Sequence, residues 1–406
     1  MSAVAETPIE LAAGDKLARR NALVLAVAQA LSGGNNIVFV TTGGIVGAAF
    51  APDRGLATLP VTVMVVGMWL GTLPVGAMAK SFGRRFALQV GSVFGVLAGL
   101  ISCAAVLQGS FWLFLVGAFC GGFYAAAHQS YRFAATDTAS DGFKPKAVSW
   151  VLAGGVAAAF IGPQLIIVTK NLWPPYLFAA TYVAQAMLAL VAAAVLVFVR
   201  IPRLTAHEQR SGGRPISAFL RMPRFIIAVV CGVASYAMMN LVMTSAPLAM
   251  IDCGHSMDDA SLGLQWHVLS MFAPSFVTGS IIMRFGIQRV VITGLCLIAS
   301  SAAIGLSGIT VAHFWIALSL LGIGWNFAFV GATTMVTQCH RPEERNKVQA
   351  FNDFLVFGSM AIGSFASGKL LATLGWTAVN EVVFPVILTA GALFIWLSLR
   401  ERRQPA

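Results

Sequence analysis

Gly76-Ala77-Met78-Ala79-Lys80-Ser81-Phe82-Gly83-Arg84-Arg85 joins two long apolar runs, and Gly279-Ser280-Ile281-Ile282-Met283-Arg284-Phe285-Gly286-Ile287-Gln288-Arg289 joins another two. The stretches lie 203 residues apart in a chain of 406, half its length. Gly76 and Gly279, with no side chain, let a neighbouring helix pack close, while Gly83 and Gly286 permit a positive φ in the turn. The arginines that follow put positive charge at helix ends, level with lipid phosphates. A tight turn explains one such stretch; two at half-chain spacing imply an internal repeat.

The residues around them are 58% apolar and only 10% charged, against about 25% charged in a soluble domain. Together with a mean hydropathy of +0.82, this excludes soluble, disordered and disulfide-scaffold classes. Apolar runs of spanning length predict twelve transmembrane helices, at 21–50, 58–79, 86–107, 111–131, 147–169, 176–199, 225–251, 261–283, 287–308, 311–335, 348–373 and 375–398. Backbone groups in lipid must bond internally, so the protein is predicted to be an all-α membrane protein. Its expected organisation is a six-helix half over residues 1–199, a middle loop over 200–224, and a second six-helix half over 225–406.

The net charge of +11 suggests nucleic acid in a soluble protein, but here topology accounts for it. With both termini on one side, 23 of the 26 Lys and Arg fall on that side and only Arg54, Lys170 and Lys369 on the other. Basic loops stay in the cytoplasm, so both termini are expected there, with the lipid bilayer and not nucleic acid as the partner. Residues 1–20 mix acids and bases and precede a long apolar run, so no cleaved signal peptide is expected.

The repeated stretch resembles the loop signature of the major facilitator superfamily, a likeness that covers the whole chain and implies two six-helix halves related by an axis along the membrane normal. The chain departs from the family pattern at the fifth position, where Lys80 and Met283 stand in place of the Asp that helps latch the cytoplasmic side. In span 5, Ala158-x-x-x-Gly162-Pro163 partly matches a pattern of antiporters, although small residues and Pro are also ordinary packing and kink devices.

Methionine is unevenly spread. Met238, Met239, Met243, Met250, Met257, Met271 and Met283 fall within 46 residues, seven of the fifteen in the chain. Met239 and Met243 share one face of span 7, and His267 and Met271 one face of span 8. At about 1.5 Å per residue, Met243 and Met239 lie roughly 12 and 18 Å below the outer end, and His267 and Met271 roughly 9 and 15 Å. Thioethers and an imidazole at matched depth suit Cu(I). Methionine also fills irregular gaps and lines adaptable organic-ligand cavities, so both alternatives stay open from spacing alone.

These pairs, with Gln265-Trp266-His267-Val268-Leu269-Ser270-Met271-Phe272-Ala273-Pro274-Ser275-Phe276 around them, resemble the CcoA-like family of bacterial copper importers. The resemblance implies Met239, Met243, His267 and Met271 as copper ligands. It also implies copper as a transported substrate with no permanently bound cofactor, a copper chaperone as partner, a place in the bacterial inner membrane, and supply of copper for cbb3-type cytochrome oxidase assembly. Cys231 and Cys253 bracket span 7 and resemble thiol positions of such importers, suited to receiving or releasing Cu(I). Riboflavin importers look like relatives and share much of this pattern, so a riboflavin-like small-molecule importer is the first alternative. A non-transporting copper sensor or assembly factor is the second.

Other polar residues follow from placement. Asp252-Cys253-Gly254-His255-Ser256-Met257-Asp258-Asp259 offers donors that would concentrate cations at an outer mouth, or is simply a solvated loop. Asp353 in span 11 is an intramembrane acid and a coupling candidate, and Glu381 lies near an outer end. His128 and Arg132, an i, i+4 pair, suit gating or helix-end contacts, as do Gly76, Gly83, Arg84 and Arg85 of the repeat. Asp137, Lys144 and Lys146 mirror Glu343, Glu344, Arg345 and Lys347 as gate contacts. Gln29, Asn35, Asn36, Thr41 and Thr42 of span 1 are expected to face a cavity and hydrogen-bond an organic substrate. Cys103, Cys120 and Cys296 are read as packing residues, and Cys339 has no assigned role. No nucleophile-and-base pairing or phosphate loop points to an enzyme.

Overall fold

The computed structural model describes residues 8–52, 56, 59–202 and 213–403. Arg54, Arg203 and Arg210 lie outside them, as do the side chains of Met257, Asp258, Lys369, Arg402 and Arg403. Among the described residues there is no strand. The long helices are α1 (Pro8–Phe50), α2 (Leu59–Ser81), α3 (Arg84–Gln108), α4 (Phe111–Gln129), α5 (Lys144–Thr169), α6 (Ala179–Leu196) and α7 (Pro223–Asp252). There follow α8a (Met257–Phe272), α8b (Ser275–Phe285), α9 (Ile287–Ser307), α10 (Val311–Gln338), α11 (Arg345–Glu381) and α12 (Val383–Arg403).

Among the described residues ten helical segments are long and apolar enough to cross a membrane, eleven if α8a and α8b count as one span. Run 348–373 lies within α11, which passes through a left-handed break at Gly375 (φ 78°) where spans 11 and 12 were divided. Run 261–283, expected as one continuous span, is instead two helices bent by 42°. Pro274 sits in the break, where its missing N–H and its ring interrupt the helical ladder.

The chain forms two compact units, Met1–Gly212 and Gly213–Ala406. In the first, α1 packs on α5 and α6, α2 on α4, and α3 on α4 and α6. In the second, α7 packs on α11 and α12, α8a on α10, and α9 on α10 and α12. Each pairing of the first unit therefore recurs six spans later. The turns that open α3 and α9 recur as well: Gly83 has φ 96°, ψ 154°, and Gly286 has φ 85°, ψ 153°. Both conformations disfavour any side chain.

Candidate functional site

In the second unit, α7 and α8a pack together, which brings the helix bearing Met239 and Met243 beside the helix bearing His267 and Met271. Met239, His267 and Met271 are buried and Met243 is half-buried. The ring of His267 is fixed by Nδ1, which donates to the Leu318 carbonyl of α10 at 2.7 Å. That bond assigns the tautomer and leaves the lone pair on Nε2, which is buried and has no hydrogen-bond partner. Gly322 of α10 makes this approach possible, since a Cβ there would lie 2.7 Å from the His267 carbonyl oxygen and 2.9 Å from the Met271 nitrogen.

The thiols stand apart from this group. Cys231 is buried about 12 Å along α7 from Met239, and Cys253, the C-cap of α7, about 21 Å the other way. Cys339 is buried and donates its S–H to the Met335 carbonyl at 3.2 Å. Among the described residues no group of three or more His, Cys, Asp and Glu side chains gathers at metal-holding range. In the loop between α7 and α8a, His255 Nε2 donates to the Ile309 carbonyl at 2.6 Å, and Asp259 closes a capping box with Ser256 at the start of α8a.

Beside the methionines lies an aromatic cluster whose residues the sequence alone did not single out. Tyr236 of α7 sits with its ring centroid 5.4 Å from Trp325, 5.0 Å from Phe329 and 5.6 Å from Phe357 of α11. Trp325 stacks on Phe329 at 5.1 Å and 17°, and meets Phe272 of α8a edge-on at 5.9 Å. Trp325 is 2% exposed, yet its indole N–H has no acceptor. The available signal was Trp325-x-x-x-Phe329, the same i, i+4 spacing that drew notice to the methionines. Asn326, next in sequence, spans the break in span 8. Its Nδ2 donates to the Met271 carbonyl at 2.7 Å and to Ser275 Oγ at 2.5 Å, while its Oδ1 accepts from Thr278 Oγ1 at 2.7 Å.

In the first unit, the polar residues of span 1 are partly taken up inside the bundle. Asn35 Nδ2 donates to the Gln185 carbonyl and Gln185 Nε2 to Asn35 Oδ1, both at 2.8 Å, and Thr42 and Tyr182 share a 2.8 Å hydroxyl bond. Asn35 and Thr42 are thus helix-joining residues rather than free ligand-reading groups; Gln29 is buried, Asn36 is half-buried and Thr41 is exposed. Ser32 Oγ lies 2.6 Å from the Tyr124 hydroxyl and 3.2 Å from that of Tyr131. His128 is buried beside them, its ring edge-on to Tyr131 at 5.5 Å. Arg132 donates to the Gln129 carbonyl at 2.6 Å and lies over the Phe133 ring at 4.6 Å.

Two of the loop ion pairs hold a buried acid and are built differently. Arg84 of the first repeat grips Asp137 through two bonds of 3.0 and 3.3 Å, the side chains 3% and 1% exposed. The corresponding position of the second repeat is Ile287, and there Glu344 is gripped by Arg214, at 2.8 Å from Nε and 2.7 Å from Nη2. Lys347 donates to the Arg214 carbonyl, and the Arg341 backbone N–H adds a 2.9 Å bond to Glu344. The guanidinium holds the Glu344 carboxyl down at about 2, with further lowering from the backbone N–H groups. Lys144 pairs with exposed Asp141 at 2.7 Å rather than with Asp137. Gly76 is buried and Arg85 exposed. Asp353 is buried, its Oδ1 accepting from Asn352 at 3.1 Å, and Glu381 is exposed.

The Major Facilitator Superfamily model matches residues 25–352 and 229–406. The chain is 49% identical over 372 residues, 91% of its length and 94% of the relative's, to a protein named riboflavin transporter RfnT from Brucella anthropi. It is 25% identical to an uncharacterized MFS-type transporter, YddS, of Bacillus subtilis, over 96% of this chain and 93% of that one. Among solved structures it is similar to the proton:xylose symporter XylE (TM-score 0.77, 16% identity, 94% and 96% covered). It is also similar to a bacterial homologue of the iron transporter ferroportin (TM-score 0.72, 14% identity, 93% and 99% covered). At those identities the two structures speak for the fold alone.

Proposed function

The chain belongs to the major facilitator superfamily and is a multi-pass membrane transporter rather than an enzyme; from that premise we propose that it imports riboflavin, or a flat heterocycle like it, across the bacterial inner membrane, with both termini in the cytoplasm. The observation that carries this reading is the aromatic cluster of Tyr236, Trp325 and Phe329 with an unpaired indole N–H at its centre. Ring faces of this kind hold a planar fused-ring ligand by offset stacking, at about 0.5–1.5 kcal/mol per pair beyond the buried area. An unpaired N–H adds a donor for a ring carbonyl or ring nitrogen. The 49% identity to a riboflavin transporter supports the same ligand class.

Met239, Met243, His267 and Met271 are proposed to line this site as adaptable apolar contacts with one imidazole acceptor. Copper is the second reading, and the one observation in its favour is the His267 ring. A backbone-fixed Nδ1 with a free Nε2 is how a metal-ligating histidine is oriented. Growth of a riboflavin auxotroph on low external riboflavin separates the two. Cells expressing the chain are expected to grow; no growth with the protein present in the membrane would contradict the riboflavin reading.

A further inference from the structure

His128 of α4 is buried and bonded at neither ring nitrogen: neither Nδ1 nor Nε2 meets a donor or acceptor. An imidazole 5% exposed and unbonded at both nitrogens is costly inside a bilayer, where each unsatisfied polar group has no water to turn to. Small residues surround it. A Cβ at Gly33 of α1 would lie 3.8 Å from His128 Nε2 and 2.8 Å from the Ala158 Cβ of α5. Gly71 of α2 lies level with it, a Cβ there meeting Ala126 at 3.0 Å, and Gly91 of α3 abuts Ala127.

The charged and titratable groups facing this position are few. Tyr131 presents its ring, and Tyr124 lies one helical turn before His128, both hydroxyls held by Ser32. Arg132 follows four residues on, about 6 Å along the axis. From the level of His128, the nearest charges on the other helices are Lys80 on α2 at about 13 Å, Arg84 on α3 at about 10 Å, Lys146 and the C-cap Lys170 of α5 at about 18 Å and Arg20 on α1 at about 20 Å. Of these, Arg84 is neutralised by Asp137. The spans of the first unit hold no Asp or Glu. The only span carboxylates, Asp353 and Glu381, belong to the second unit, where Asp353 is hydrogen-bonded by Asn352 and Glu381 is exposed.

We propose that His128 is the proton-binding site of the transport cycle, so that substrate uptake is coupled to proton entry through an imidazole rather than a carboxylate. A proton from water on the outer side adds to a ring nitrogen lone pair, and the same proton leaves to water on the inner side; no other bond changes. An imidazole takes up one proton and gives it back without any other change, which suits it to this role. The inference rests on the riboflavin reading for its probe.

Purified full-length protein in liposomes tests it with radiolabelled riboflavin. The wild type is expected to accumulate riboflavin several-fold above equilibrium under an inward proton gradient and to lose this with a protonophore. H128Q is expected to lose the accumulation, and its riboflavin counterflow, whatever its rate, to become independent of pH. Wild-type accumulation that ignores the gradient, or H128Q accumulation equal to wild type, would overturn the proposal. Absence of counterflow in the wild type would count against riboflavin and not against the proton site. The site is then read without substrate by 15N-histidine NMR in bilayers, where one signal, missing in H128Q, should change from neutral to doubly protonated on acidification. A His128 signal that stays neutral throughout would overturn the proposal.

Discussion

A buried donor left without an acceptor costs about 1–3 kcal/mol, and Trp325 carries that cost at the centre of an aromatic cluster. A ligand acceptor would return it. W325F keeps a stacking face and removes the donor, so riboflavin affinity is expected to fall by about 1–2 kcal/mol, or about 5- to 30-fold in Kd. Quenching of riboflavin fluorescence on titration measures this. The exposed Trp112 is the control, and equal losses in W112F and W325F would contradict the assignment. Sequence reading reached the neighbourhood through methionine but not the rings. Methionine clustering is visible in one dimension, whereas Tyr236, Trp325 and Phe357 meet only through the packing of α7, α10 and α11. Asn35 and Thr42 were misjudged for a related reason: a polar residue in a span must face something polar, but the identity of its partner, Gln185 or Tyr182, depends on which helix packs there.

At the scale of elements, two devices stand out. Asn326 bridges α8a and α8b with three hydrogen bonds, in surroundings where each is worth about 0.5–2 kcal/mol. N326A is expected to lower the melting temperature in detergent by several degrees, while the exposed T293A leaves it unchanged. The break itself was not legible, because one Pro in an apolar run reads as a kink until the 42° angle is seen. The Arg214–Glu344 clamp joins segments 130 residues apart and supplies the arginine that the second repeat lacks at Ile287. With its carboxyl held near 2, below its ordinary 4.5, Glu344 contributes stability that is complete above about 4.5 and is lost as pH falls through about 2. Wild type is therefore expected to melt higher than E344Q at neutral pH, with the difference shrinking across that acidic window. A difference that grows on acidification would contradict the sign.

Across the whole molecule, the repeat was the most legible feature. Apolar length marks the spans, and the 203-residue spacing of Gly83 and Gly286 is matched by nearly identical backbone angles and by helix pairings that recur six spans later. G83A and G286A are each expected to cost about 1–2 kcal/mol through strain in the left-handed region, visible as similar drops in melting temperature. The transported substrate was less legible. Met and His at matched depth suit both a soft metal and an organic ring, and the rings that separate the two come together only in three dimensions. The central claim is tested most directly by parallel uptake of radiolabelled riboflavin and radiolabelled copper into liposomes holding the purified full chain. Saturable riboflavin uptake, competed by unlabelled riboflavin and untouched by copper, is the predicted result; copper uptake without riboflavin uptake would contradict it.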